Sequence, residues 1–145
     1  MTINYNNQVA IVTGAGAGLG RSHALALAAR GAKVVVNDLG KPDGSMSEGA
    51  LEVVAEIEKA GGEAIANGAN VANMAEVQAM VKQAMEKWSR IDILVNNAGI
   101  LRDKSFGKMS IDDFKLVIDV HIDLHHPLSL LRIQFLPKGL EPIEI

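Results

Sequence analysis

Val9-Ala10-Ile11-Val12-Thr13-Gly14-Ala15-Gly16-Ala17-Gly18-Leu19-Gly20 joins a short apolar run to a glycine-rich turn, and an Ala- and Leu-rich stretch follows as far as Arg30. The first five residues, rich in β-branched side chains, read as a buried strand. Leu19 to Arg30 reads as a helix, closed by Gly31 where a left-handed backbone is tolerated. A strand end, a tight turn and a helix start therefore fall together. Backbone N–H groups and the positive end of a helix dipole converge there, which is where a pyrophosphate can bind. Glycine is needed wherever a side chain would block the phosphate or φ must be positive.

The spacing excludes two common loops. Counting for G-x-G-x-x-G, the third position is Leu19 from Gly14 and Arg21 from Gly16, and no Gly-Lys pair follows as a P-loop requires. The pattern that fits is T-G-x-x-x-G-x-G on Gly14, Gly18 and Gly20. A turn made only for packing could have the same composition, so the residue closing the next strand matters. That strand is Lys33 to Asn37, and Asp38 ends it. A carboxylate at this place can accept both ribose hydroxyls of adenosine and repels a 2′-phosphate, which favours NAD over NADP. A solvated loop acid or a helix cap is the alternative.

Outward from there the chain alternates. Residues 39–47 form a polar loop with Pro42 and Gly44. Ser45-x-x-Glu48 is a capping box opening a second helix, with Leu51, Val54 and Ile57 as its apolar stripe and Gly61-Gly62 as its end. Glu63 to Ala66 is a third strand. Asn73-x-x-Glu76 opens a third helix with Val77, Met80, Val81, Ala84 and Trp88 on one face. Ile91 to Val95 is a fourth strand. Ser110-x-x-Asp113 opens a fourth helix with Phe114, Val117, Ile118 and His121 on one side. The β-α-β-α-β-α-β-α order predicts an α/β fold with a parallel sheet covered by helices on both faces.

Bulk properties narrow the class. The 145 residues are 48% hydrophobic, 21% charged and only 3% aromatic, so an aliphatic core is expected and disorder is not. Net charge is -3 without a basic run, which argues against nucleic acid as a partner. There is no cysteine, so disulfides and thiolate metal sites are excluded. No stretch is apolar enough for a membrane span. A cytoplasmic location is the default, or a peroxisomal one for a eukaryotic protein, although Ile143-Glu144-Ile145 matches no peroxisomal address. His121, His125 and His126 with Asp123 lie at a spacing that metals can use; they read instead as helix-end histidines, and no metal is expected.

Asn96-Asn97-Ala98-Gly99 directly follows the fourth strand. Together with T-G-x-x-x-G-x-G after the first, it resembles the short-chain dehydrogenase/reductase family, from about Asn7 to His121. Val34 to Gly40 and Asn97 to Phe106 are similar, within that family, to the (3R)-hydroxyacyl-CoA dehydrogenase units of multifunctional β-oxidation enzymes. The resemblance implies a Rossmann-type doubly wound sheet. It implies cofactor contacts for Gly14, Gly18, Leu19 and Gly20 at the pyrophosphate and Asp38 at the ribose. Asn70-Val71 stands beside adenine, where the family has Asp-Val. Asn97, Ala98 and Gly99 line the floor, with Asn97 also tying strand four to its neighbour. The implied reaction is NAD-dependent oxidation of 3-hydroxyacyl-CoA to 3-ketoacyl-CoA, in a protein that pairs subunits through its fourth and fifth helices.

The chain departs from that pattern. The family's chemistry uses a Ser and a Tyr-x-x-x-Lys pair beyond the fourth helix. The single tyrosine here is Tyr5, and four residues on stands Val9. His121 occupies the family's helix-four Asn position, and Leu124 stands where a small residue is expected. Residues 122–145 hold three of the four prolines and no Ala, Val, Met or Asn. The expectation is therefore an incomplete sheet, strands one to four in order 3-2-1-4, with residues 1–121 as the NAD-binding half. Residues 122–145 read as an atypical tail of a truncated or frame-shifted chain, whose apolar residues from Leu128 to Phe135 could cover the edge of strand four. Such a chain is expected to be inactive alone. The alternative is a non-catalytic adenine-nucleotide-binding or subunit-interaction module.

Overall fold

The computed structural model describes residues 3–123, so the expectations for the tail, Leu124, His125, His126 and Ser129 lie outside the described residues. Four strands, β1 (Val9–Val12), β2 (Lys33–Asn37), β3 (Glu63–Asn67) and β4 (Ile93–Val95), form one parallel sheet in the order β3-β2-β1-β4. This is the Rossmann-type order that the family resemblance implies. β1 is the switch point: Ile11 registers with Val35 on one side and Leu94 on the other.

Strand alternation divides the core. Ala10, Val12, Val34 and Val36 face helices α1 (Gly18–Ala28) and α2 (Glu48–Lys59), against Ala24, Ala50, Val53 and Ile57. Ile11 and Val35 point the other way, onto Val77, Met80, Val81 and Ala84 of α3 (Met74–Trp88). Both faces of β1 and β2 are buried, which is why these strands read as continuous apolar runs. Each such Val or Ile contributes about 1.5–3 kcal/mol by leaving water.

Helix ends follow side-chain chemistry. Asn73 caps α3, accepting from the Ala75 and Glu76 N–H groups, as its sequence position implies. Ser110 likewise caps α4 (Ile111–Ile118), accepting from Asp113 N. The α2 expectation is corrected: Ser47, not Ser45, is the cap, and Glu48 is the first helical residue. Ser45 is diverted to Asp43, which accepts from both its N–H and its hydroxyl. The buried stripe of α2 is Ala50, Val53 and Ile57, with Val54 packed at its margin and Leu51, expected in the stripe, 48% exposed. Strand four is also shorter than expected, starting at Ile93, because Asp92 turns its carboxylate back to Val9 N at 2.8 Å.

After Ile118 the helix widens into a π-turn, Asp119–Asp123. None of the side chains of α4 is buried. Among the described residues, β4 pairs only with β1, and no helix is long and apolar enough to cross a membrane.

Candidate functional site

The C-terminal ends of the strands open into a cleft of about 160 Å³, lined by Gly14, Asp38, Asn70, Val71, Ala98 and Gly99 together with Val120 of the π-turn. Six of the residues singled out in the sequence are thus brought to one place. It lies where the strand order reverses about β1, the position at which doubly wound sheets hold ligands. A larger hollow of about 950 Å³ lies at the opposite end of the sheet, beside Arg30, Gly31 and Gly61. It contains none of the predicted site residues, and the helix C-termini there present carbonyl oxygens, the wrong polarity for phosphate.

The glycine loop divides its work among its glycines. Gly14 has φ +60°, and a Cβ on it would lie 2.9 Å from Ala98 Cα. Gly20 faces the backbone of Gly14, whose O would be 2.2 Å from a Cβ. These two glycines let the loop, α1 and the Ala98 segment close on one another. Gly18 has φ +54° and open space around it, so its constraint is conformational and its surface is free. Leu19 is 73% exposed and Gly18 is also exposed; neither lines the cleft. At the start of α1, Ala17 provides no side-chain cap and the first turn holds no acid. The other three α-helices are each capped by their own Ser or Asn. The N-terminal amides of α1 are therefore the ones left to an outside acceptor.

Asp38 stands half-buried at the rim. Its Oδ1 accepts from Leu39 N at 3.1 Å and its Oδ2 from the Ser47 hydroxyl at 3.0 Å. Gly16, which the motif treats as variable, lies directly under it: a Cβ there would be 2.0 Å from Oδ2. Sequence reasoning missed Gly16, and missed Gly49, whose Cβ would come 2.6 Å from Gly16 O. The available signal was a run in which every second residue is glycine.

Asn97 proves to be a tie, as expected. Its Nδ2 donates to Thr13 O at 3.0 Å and Gly14 O at 3.1 Å, while Thr13 Oγ accepts from the N–H groups of Asn97 and Ala98. Asn70 keeps its acceptor oxygen but uses it on Ala72 N at 3.0 Å, and its own N–H donates to Glu76. His121 Nε2 lies 2.9 Å from Ile100 O and 3.1 Å from Ile100 N. Its ring packs on Gly99, where a Cβ would be 2.7 Å from Cε1. The loop beyond is fastened to α4: Lys104 and Arg102 both reach Asp113. The Lys104 ammonium, then the Ser110 hydroxyl, hold the Asp113 carboxyl below the usual carboxylate range. Arg21 pairs with Glu56 of α2, so it links two helices. Among the described residues, no group of three or more His, Cys, Asp or Glu is placed to hold a metal ion.

Comparison with known proteins gives the same frame. Residues 8–127 match the short chain dehydrogenase family. The peroxisomal multifunctional enzyme type 2 of Drosophila melanogaster is 54% identical over 123 residues, 83% of this chain and 20% of that protein. A 3-oxoacyl-[acyl-carrier-protein] reductase of Synechocystis sp. is 53% identical over 115 residues, 79% of this chain and 44% of that one. The crystal structure of a short chain dehydrogenase from Mycobacterium avium superposes with a TM-score of 0.84 at 46% identity, covering 90% of this chain and 46% of its own. The chain spans less than half the length of each of these relatives. With the family's sheet order and both of its glycine motifs in place, this chain belongs to the short-chain dehydrogenase family.

Proposed function

We propose that the cleft is the adenosine half of an NAD site in a dehydrogenase acting at C3 of a 3-hydroxyacyl thioester. The observation that carries this is the joint placement of the Gly14 turn, the Asp38 carboxylate, Asn70, Val71, Ala98 and Gly99 around one cleft; the uncapped α1 N-terminus follows from the same glycine loop. The residues fit the group. Gly14, Gly18, Leu19 and Gly20 offer backbone to a pyrophosphate, and Asp38 offers a carboxylate to the ribose hydroxyls. Asn70 and Val71 form the adenine side, and Asn97, Ala98 and Gly99 the floor. A 2′-phosphate in this cleft would meet the Asp38 carboxylate, and Arg21 and Lys41 already carry carboxylate partners in Glu56 and Glu48. That supports NAD over NADP.

When bound, the nicotinamide supplies the hydride acceptor for converting the C3 alcohol to a ketone. The substrate class rests on the resemblance and on the cyanobacterial relative, whose name places a 3-oxoacyl group in its reaction. CoA as the carrier rests on the resemblance to (3R)-hydroxyacyl-CoA dehydrogenase units, and likeness to a peroxisomal multifunctional enzyme supports a peroxisomal location for a eukaryotic parent. The apolar residues left exposed on α4, Ile111 at 73% and Phe114 at 49%, support pairing of subunits in the whole protein.

The 145 residues by themselves are read as a binding unit. The single tyrosine, Tyr5, is tied by its backbone N–H to Arg30 O at 2.7 Å, at the opposite end of β1 from the cleft. Calorimetric titration with NAD, NADP and AMP tests this reading. NAD and AMP should bind with similar affinity, and Asp38→Ala should weaken both by about 1–3 kcal/mol, the cost of unpaired hydroxyls. An unchanged affinity removes Asp38 from the site. Turnover of 3-hydroxyacyl-CoA with NAD should stay at background; sustained reduction of NAD by this chain alone overturns the binding-only reading.

A further inference from the structure

Asp38 closes a strand, but what aims its carboxylate comes from the far side of the 39–47 loop. Ser47 Oγ lies 3.0 Å from Asp38 Oδ2 and 3.4 Å from Ala50 N. The proton assignment is forced. The Ala50 amide can only donate, so the serine oxygen accepts from it. The ionised carboxylate can only accept, so the serine hydroxyl donates to it. One hydroxyl thus serves both as the cap of α2 and as a clamp on Oδ2. The opposite oxygen is held by Leu39 N, and Gly16 leaves the space in which the group lies.

We infer that Ser47 is a positioning residue for the dinucleotide site, setting the Asp38 carboxylate at the angle that accepts a ribose diol and excludes a 2′-phosphate. This rests on the NAD reading above and deepens it: discrimination between the two dinucleotides depends on the α2 cap as well as on the acid. A carboxylate freed from the clamp can rotate. It would then offer its oxygens to the diol less often and withdraw its charge from a phosphate.

Capping and clamping can be separated. Glycine at an N-cap costs a helix only a few tenths of a kcal/mol relative to serine, yet it has no hydroxyl to donate. Threonine retains both functions. Ser47→Gly and Ser47→Thr are compared with the unaltered chain by calorimetric titration of NAD and NADP, with thermal melting alongside. Ser47→Gly should melt close to the unaltered chain while its NAD affinity falls about tenfold, the scale of one hydrogen bond to a charged group. Its NAD:NADP preference should narrow by a similar factor, which loss of helix stability alone would not produce. Ser47→Thr should restore both within about twofold. An unchanged preference in Ser47→Gly, with NAD still bound, overturns the role of Ser47 and leaves the site standing. Failure of the unaltered chain to bind NAD overturns both.

Discussion

Gly16→Ala places one methyl group where the Asp38 carboxylate now lies. The new carbon would stand 2.0 Å from Oδ2 and 2.9 Å from Cγ, whereas ordinary contact is 3.4–4 Å. The carboxylate must withdraw by more than an ångström. The methyl is also crowded by the Ala50 amide at the start of α2, 3.1 Å away. What moves is the end of a side chain, so folding loses only about 1 kcal/mol. Binding loses more, because the displaced group is the ribose acceptor: about 1–3 kcal/mol, or roughly a 5- to 150-fold rise in Kd for NAD. Gly20→Ala makes the opposite case. Its methyl would meet the backbone oxygen of Gly14 at 2.2 Å, and a backbone atom in a closed turn cannot step aside. That variant should lose about 3 kcal/mol of stability and melt several degrees lower. Thermal unfolding followed by circular dichroism, with calorimetric titration of NAD, reads the two effects separately. If Gly16→Ala melts early but binds NAD within twofold of the unaltered chain, the carboxylate is not the ribose acceptor and the reasoning fails.

Two further outcomes concern the frame around the site. Thr13→Val keeps the shape of a fully buried side chain but strands the N–H groups of Asn97 and Ala98, which Thr13 Oγ accepts at 3.1 and 3.0 Å. Urea denaturation should show a loss of about 2–4 kcal/mol; a loss below about 0.5 kcal/mol would mean these amides find other partners. On the third strand, Glu63 accepts from the Trp88 indole at 2.7 Å and pairs with Lys33 at 3.0 Å, and these contacts, the indole first, hold its carboxyl below the ordinary 4.5. A depressed carboxyl stabilises the fold fully above its unfolded value and loses that contribution as pH falls through the lower folded value. Trp88 is the single tryptophan, so its emission should titrate with a midpoint below 4.5, and Glu63→Gln should abolish the step. A midpoint at or above 4.5 contradicts the contact.

Much of this was legible in the chain. Short continuous apolar runs, which two-sided burial of a strand demands, and helical stripes with period near 3.6, which helix geometry demands, reported four strands, four helices and their alternation. The T-G-x-x-x-G-x-G and N-N-A-G motifs stood at strand ends, and the handedness of βαβ crossovers leaves few ways to arrange such units. Where two caps compete within three residues, however, as Ser45 and Ser47 do, the choice depends on a third group. Asp43 takes Ser45 and Asp38 takes Ser47.

Composition, periodicity and motif spacing by themselves determined the alternation of strands and helices, the place of the glycine turn and the acid at the end of β2, because those follow from local propensities and chain connectivity; the sheet order was what the family resemblance implied. Only the folded structure decided which glycine each neighbour needs. A Cβ on Gly16 would meet Asp38 and the Ala50 amide, residues distant in sequence, while one on Gly18 would meet nothing at all. The same holds for the Ser47 hydroxyl on Asp38 and for His121 on Gly99 and Ile100. A contact between residues far apart along the chain exists only once the strands and helices have packed, since packing sets the ångström-scale distances on which hydrogen bonds and steric exclusion depend.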